Sequence, residues 1–454
     1  GDVVLDPAVL LFTLGISILT GLLFGMAPLL QLRERVVTLS LKESGQRSTA
    51  GAGRARLRSG LVMAEVALAV VLVVGAGLLL RSFWNLLTVD AGFNRSRLAT
   101  FGLVLPTAAF PEPQARVDFF KRLTEQLRQV PGIQGAAAMT GLPPMRLVNA
   151  NDTDFEGYTA PAEGPFENVD YYQTVTQEYV STMGIPVVQG RDFAPSDVTG
   201  AGGLVVLVNE TLARTFYRDG NALGKRVRVG GSNSKNPWLT IVGIVRDVKQ
   251  GGVGSKTGTE LYFLAEQARL VNFGPSNMNV VVRTQLPLET LAPQIRQIVA
   301  GMDPTLPIVR LRTMDEVFAE SVSRPRVLAQ LLGLFAGLAL LLAAIGTYGI
   351  LSYSVSERRK EIGIHMALGA TRARVLSMVL GQGAIVTAVG LAAGVVAALL
   401  LTRFLQTQLF DVKPTDPATI AGVIAFIALV AAAACYVPAS RATRVDPMVV
   451  LRDE

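Results

Sequence analysis

Long uncharged runs bracket a polar middle in this chain, at residues 7–32, 59–80 (broken only by Glu65), 327–356, 375–402 and 417–440. A helix needs about 20 residues to cross a hydrocarbon layer of about 30 Å, and every run is long enough. The pattern predicts five spanning helices. The middle follows shorter periods: residues 98–105 and 133–139 read as strands around an amphipathic helix over 114–129, which sets Val117, Phe120, Leu123 and Leu127 on one face. Residues 278–282, 288–300 and 308–311 repeat strand, helix, strand. Two βαβ units make a ferredoxin-like arrangement the expectation. Between them, 205–209, 226–229, 239–248 and 261–264 read as a β-rich insertion interrupted by one helix, 210–217. The fold class expected is an α-helical membrane protein with a large α+β extracytoplasmic domain.

Composition agrees with that division. Of 454 residues, 50% are hydrophobic and only 17% charged, and a mean hydropathy of +0.41 is high for a soluble protein. The first run lacks a basic leader, follows Asp2 and Asp6, and is longer than the roughly 7–15 apolar residues of a secretory signal, so it is expected to stay in the mature protein. Because the chain begins with Gly1, a fragment of a longer polypeptide is expected. Charge sets the orientation: Arg33, Arg35, Lys42, Arg47, Arg54, Arg56 and Arg58 follow the first run, and Arg358, Arg359, Lys360, Arg372 and Arg374 follow the third. Arg441, Arg444 and Arg452 follow the last. These segments account for the net charge of +7, which is a positive-inside signature and not a nucleic-acid footprint, so no nucleic-acid partner is expected. Helix parity also puts them in the cytoplasm and 81–326 outside.

The first and last runs end alike. Gly25-Met26-Ala27-Pro28 leads to Leu41-Lys42-Glu43 and Cys435-Tyr436-Val437-Pro438 leads to Leu451-Arg452-Asp453, with the same spacing from proline to leucine. The match suggests the last helix of one repeat followed by a whole second repeat.

Little of the chain suits catalysis. Gly224-Lys225 lacks the glycine spacing and hydroxyl of a P-loop and reads as a turn into a strand. The single histidine, His365, lies in a cytoplasmic segment, and the single cysteine, Cys435, lies in the last apolar run and reads as a small residue facing another helix. Neither a histidine triad nor a cysteine metal cluster can be assembled outside. A membrane-anchored enzyme would need paired carboxylates in the outer domain, and no pair stands out. Glu65 is the one charge inside a spanning run: either a polar contact within the bundle or a side chain reaching the cytoplasmic interface.

The segment after the third run is the most informative. Charges over Glu357, Arg358, Arg359 and Glu361 give way to apolar Ile362, Ile364, Met366 and Leu368, a break at Gly369, and Thr371 placed to cap a helix starting at Arg372. Apolar side chains beside fixed charges suit docking onto a soluble partner. An interfacial helix on anionic lipid fits the residues equally well.

The run SERRKEIGIHMALGATRARVLSMVL, residues 356–380, resembles the signature of the MacB/FtsX-type permeases of ABC transporters, with His365 where arginine is more usual. Residues 179–193, Val208-Asn209-Glu210, Leu223-Gly224-Lys225-Arg226 and 241–248 are similar to the MacB-like periplasmic core domain. The resemblance implies four parts: 1–56, the final helix of a preceding repeat plus a cytoplasmic linker; 57–80, a transmembrane helix; 81–326, the periplasmic core domain; and 327–454, the FtsX-like permease domain with three transmembrane helices. It implies a multi-pass protein of the bacterial cytoplasmic membrane, in contact with membrane lipids, that binds no cofactor itself. ATP is expected at a separate cytoplasmic ABC ATPase subunit touching residues 357–374, and a second permease half, from a missing first repeat or another chain, completes the assembly. Movement of the outer domain would then serve export or extraction of a peptide, lipid or amphipathic substrate. A regulatory scaffold that controls an envelope enzyme or senses peptides is the alternative.

Overall fold

The computed structural model describes residues 7–8, 10–18, 22, 49–161, 163–200, 202–217, 220–231, 233–267, 274–368 and 371–442. The chain forms two units, residues 1–62 and 63–454. In the first, residues 7–8, 10–18 and 22 are helical, with Leu10, Phe12 and Leu14 exposed. The rest of the first apolar run and the repeated endings near Pro28 and Leu451 lie outside the described residues. Helix α1 is Thr49–Thr88.

In the second unit the polar middle builds a sheet of twelve strands among the described residues. They are β1 Leu98–Val104, β2 Ile133–Met139, β3 Asn151–Phe155, β4 Asn168–Val169, β5 Tyr171–Val175, β6 Val187–Gly190, β7 Val205–Asn209, β8 Arg226–Val229, β9 Leu239–Val245, β10 Glu260–Leu264, β11 Asn277–Thr284 and β12 Val309–Thr313. The helices among them are α2 Pro113–Arg128, α3 Tyr179–Met183, α4 Pro195–Val198, α5 Glu210–Phe216, α6 Leu288–Met302 and α7 Met314–Ser321.

One end of the sheet runs β12-β1-β11-β2 with every neighbour antiparallel. Each βαβ unit is therefore split by a strand of the other, the ferredoxin-like arrangement that the spacing predicts. Alternation along the strands decides what each face buries. Ala99, Phe101 and Leu103 of β1 with Val280 and Val282 of β11 meet Phe120, Leu123 and Leu127 of α2 and Leu291, Ile295 and Val299 of α6.

The insertion continues the same sheet as β5-β10-β7-β9-β8-β3-β4, with β6 also on β9. Its four expected strands are present, the third ending at Val245 and not at residue 248. The expectation of one helix needs correction: α3 and α4 join α5. Both are four or five residues long, too short for a periodic stripe to show. The strands β3 to β6 were also not legible, because Asn151–Phe155 carries two aspartates and Val187–Gly190 is exposed throughout.

The two lobes meet along a thin seam, since β2 and β5 pair only at Met139 and Val175. Side chains extend the ladder there. Thr176 Oγ1 accepts from the Ala138 amide at 2.9 Å, Thr140 Oγ1 accepts from the Thr174 amide at 3.0 Å, and buried Gln173 accepts from the Gly141 amide at 2.9 Å while donating to its carbonyl at 2.6 Å. Deeper in, Glu260 accepts from Tyr262 Oη at 2.7 Å and from Gln250 Nε2 at 2.6 Å. Burial pushes its carboxyl up to about 8, and pushes that of Glu266, just past the other end of β10, up to about 7.

After α7 the chain re-enters apolar sequence as α8 Ser323–Glu357, α9 Arg359–Ala367, α10 Arg372–Leu401 (extended by a 3-10 segment, Thr402–Gln408) and α11 Pro417–Ala442. Among the described residues four helices are long and apolar enough to cross a membrane, over Arg58–Thr88, Ser323–Glu357, Arg372–Gln408 and Pro417–Arg441. The first of these passes well beyond the expected end at residue 80. Lipid offers no hydrophobic drive for helix association, so close packing must supply it. α10 accordingly turns Gly383, Thr387, Gly390, Gly394 and Ala398 inward. A Cβ on Gly390 would stand 2.8 Å from Val66 Cβ, and one on Gly394 2.6 Å from Val70 Cβ. Cys435 is buried between helices, and a Cβ on Gly383 would stand 2.7 Å from its Sγ.

Gly390→Leu is expected to lower the unfolding free energy of the detergent-solubilised chain by about 1–3 kcal/mol through overpacking. Gly381→Leu, at a position with open space around it, is expected to leave stability unchanged in the same denaturation series. A pH dependence follows from Glu260. A carboxyl raised from 4.5 to about 8 by folding holds its proton better when folded, so its contribution is complete below pH 4.5 and is lost as pH rises through about 8. Thermal stability of the chain should fall steadily between pH 5 and 8, and Glu260→Gln should flatten that slope; an unchanged slope in the variant would assign the effect elsewhere.

Candidate functional site

On the cytoplasmic side α8 ends at Glu357 and α9 starts at Arg359, with Arg358 between them in a non-helical bend, φ −97° and ψ 18°. Ile362 is buried, whereas Ile364 is 49% and Leu368 81% exposed. Glu361, Ile364 and Leu368 lie at helical spacing on one face, and Met366 is half-buried. Arg358 reaches Glu361 at 4.0 Å with both side chains about half exposed, a surface pair worth little in stability and free to exchange partners. Arg359 opens α9. His365 is exposed.

Leu368 closes α9 in the residue before Gly369, which lies outside the described residues. Thr371 occupies the cap of α10 with extended backbone, φ −70° and ψ 150°, but its side chain makes no capping hydrogen bond. Its carbonyl accepts from Arg374 and Val375 instead, at 2.9 and 3.2 Å. Arg372 is exposed at the start of α10. Glu65 is exposed on α1, turned away from the helix contacts that bury Val66, Ala69 and Val70.

A second set of contacts lies at the outer end of the bundle, where the sequence carries no motif. Arg81 of α1 is paired with Asp416, whose carboxylate also accepts from the Thr419 amide at 2.9 Å and hydroxyl at 2.6 Å. Those Thr419 hydrogen bonds, and the Arg81 guanidinium after them, hold the Asp416 carboxyl below its ordinary range. Ser82 accepts from the Phe410 amide at 2.8 Å, and Asn85 donates to the Asp411 carbonyl at 3.1 Å. Through Phe410 and Leu86 this loop meets the outer domain: a Cβ on Gly254 would stand 3.0 Å from Leu86 and 3.5 Å from Phe410.

The linker from α1 to β1 is held as firmly. The Lys249 amide donates to the Ala91 carbonyl at 3.0 Å, and Arg283 donates to Asn94, Ser96 and Thr182 carbonyls at 2.8–3.0 Å. Gly92, at φ +83°, passes so near β9's exit that a Cβ would stand 1.9 Å from the Asp247 carbonyl oxygen. Arg95 pairs with Asp315 at 3.3 Å and stacks over Phe318 of α7 at 4.0 Å. On the return, Thr313 and Glu316 form a reciprocal capping box that starts α7, which leads directly into α8. α1 and α8 thus both join the domain through close backbone and side-chain contacts.

Gly92→Ala should break this seat, because alanine is strained at that φ by about 1 kcal/mol or more and its methyl meets a carbonyl. The expected result is faster proteolytic cleavage within residues 89–97 while the sheet remains protected; cleavage at the wild-type rate would show that the linker needs no close contact.

Comparison with known proteins bears on the same segments. The family model for the MacB-like periplasmic core domain matches residues 59–298, and that for the FtsX-like permease C-terminal matches residues 333–447. The macrolide export ATP-binding/permease protein MacB 1/2 of Paracoccus denitrificans is 27% identical over 282 residues, 61% of this chain and 41% of that one. The ABC transporter permease YknZ of Bacillus subtilis is 24% identical over 355 residues, 76% of this chain and 82% of that one. The solved periplasmic region of MacB from Actinobacillus actinomycetemcomitans is similar over 51% of this chain and 95% of that one, at 14% identity and a TM-score of 0.34. The chain thus spans less than half the length of the ATP-binding/permease relative. With the periplasmic core domain matching more than half of its residues and the permease segment following in order, the chain belongs to the MacB/FtsX-type permeases of ABC transporters.

Proposed function

We propose that this chain is the permease subunit of an ATP-driven exporter or extractor, in which a separate cytoplasmic ATPase moves the outer domain by pushing on α9. The observation that carries the reading is the exposed face of Glu361, Ile364 and Leu368 on a helix whose Ile362 is buried. An apolar side chain 81% exposed beside fixed charges is a docking anchor in search of a groove. The chain itself performs no catalysis and binds no cofactor; ATP is held and hydrolysed by the partner, and a second permease half completes the transporter. Relatives named as macrolide and pyoverdine exporters support an amphipathic cargo.

The linkage also needs a stiff path across the membrane. Motion delivered at α9 reaches α8 and α10 directly, and the loop 402–416 and the seated linker carry it to the sheet. This is mechanical transmission by packed helices, with no substrate channel required through the bundle.

Glu361→Lys combined with Leu368→Asp should abolish co-purification of an ABC ATPase from bacterial membranes in mild detergent, whereas wild type retains it. Each half of the change opposes docking, one by charge reversal and one by burying an unpaired carboxylate, together a loss of at least about 100-fold in affinity. Undiminished capture by the folded double variant would remove α9 as the coupling element.

A further inference from the structure

We propose that the outer domain binds the anionic head of an amphiphile, a carboxylate or phosphate carrying an alkyl or acyl chain, in a cleft at the seam between its two lobes. That this occupant belongs to the transported class rests on the permease reading; the binding itself does not. The cleft is about 290 Å³ and is walled by β1, β11, β12 and the loop that leaves β2. Three arginines line it, Arg146, Arg310 and Arg312, and none of its lining residues is acidic.

The three cations differ in a way that suits recognition. Arg146 is fixed: it donates to Gln173 Oε1 at 2.6 Å and to the Tyr172 carbonyl, and lies over Tyr171 with 5.4 Å to the ring centre. It also rests on Gly141, where a Cβ would stand 2.3 Å from its Cδ. Arg312 is steadied by Glu320 of α7. Arg310 is exposed, has no partner among the described residues, and holds a left-handed backbone at φ 52°. For a non-glycine residue that conformation carries a steric cost, and such positions gather at ligand clamps.

Two further features mark the floor. Thr100 of β1 is 1% exposed, and its hydroxyl has no hydrogen-bond partner. Buried hydroxyls are normally satisfied; this one lies beneath the cleft's surface, out of reach of solvent. Next to it the β1/β12 register shifts between Thr100 and Gly102, a bulge that opens the strands where Gly102 contributes no side chain. The same wall is apolar toward Leu142, Met145 and Val309, and the loop continues into Leu147 and Val148, which are 87% and 61% exposed. A bare inorganic anion would leave that surface unused. The volume lies at the lower edge of ligand pockets, roughly 300–1,000 Å³, so it takes a head group and the first carbons while the chain runs out along the loop.

The test uses the whole chain in a neutral maltoside detergent, titrated calorimetrically with hexyl phosphate, hexanol and inorganic phosphate, with no ATPase present. Hexyl phosphate should bind at one saturable site, and hexanol and inorganic phosphate each about tenfold or more weakly. Arg310→Asn preserves the left-handed backbone, which asparagine tolerates, and should weaken hexyl phosphate about tenfold. Arg312→Lys keeps the charge but loses the forked donors and should weaken it severalfold, with thermal unfolding unchanged in both variants. The proposal is overturned if both variants bind as wild type, if hexanol binds as tightly as hexyl phosphate, or if inorganic phosphate does, since the last leaves a simple ion site. Failure here leaves ATPase capture by α9 untouched, and failure of that capture leaves this titration untouched.

Discussion

The passage of Gly92 beside the Asp247 carbonyl is the contact on which the rest of the molecule depends. It seats a 40-residue helix, about 60 Å long at 1.5 Å per residue, against the end of a strand in the middle of the sheet. No side chain fits there, and the neighbouring amide of Lys249 completes the seat by bonding to Ala91. A flexible linker would let the helix move without its domain. Here the backbone of one is hydrogen-bonded to the backbone of the other, and Arg283 ties down the next turn.

The family motifs of the insertion earn their place through the same kind of backbone contact. Asn209 caps α5 through the Leu212 amide at 3.0 Å, and its side chain also bonds to Glu260 and Gly258. Asp247 accepts from the Thr211 amide at 2.8 Å and from Arg214, so it holds the start of that helix from the opposite side. Gly190 and Gly243 let two chain segments cross, with Cβ positions 2.4 and 2.1 Å from facing carbonyl oxygens. These residues tie the strands and helices of the insertion to one another. None of them has the arrangement of a catalytic group.

In the bundle the balance is different. Small residues on α10 allow close backbone approach to α1 in lipid, where packing must supply the drive for association. The outer ends are tied by Arg81 with Asp416 and by Ser82 with Phe410, while at the cytoplasmic end α9 stands on a bend with two apolar side chains uncovered.

Apolar runs, the excess of arginine beside them and the strand periods determined the spanning helices, the orientation and the ferredoxin-like lobe, because each depends on the local order of residue types. The same was true of α9, whose charges and break are written consecutively, though not of which apolar residue it buries: Ile362 and Ile364 are equivalent in the sequence and differ only by what lies beside them. The strands β3 to β6, the short helices α3 and α4, the seat of Gly92 and the three-arginine cleft were decided by tertiary structure alone. The short elements carry too few residues for a period to show, and the residues of the seat and the cleft are far apart in the chain, as Gly92 is from Asp247 and Arg146 from Arg310, so no local pattern can record their contacts.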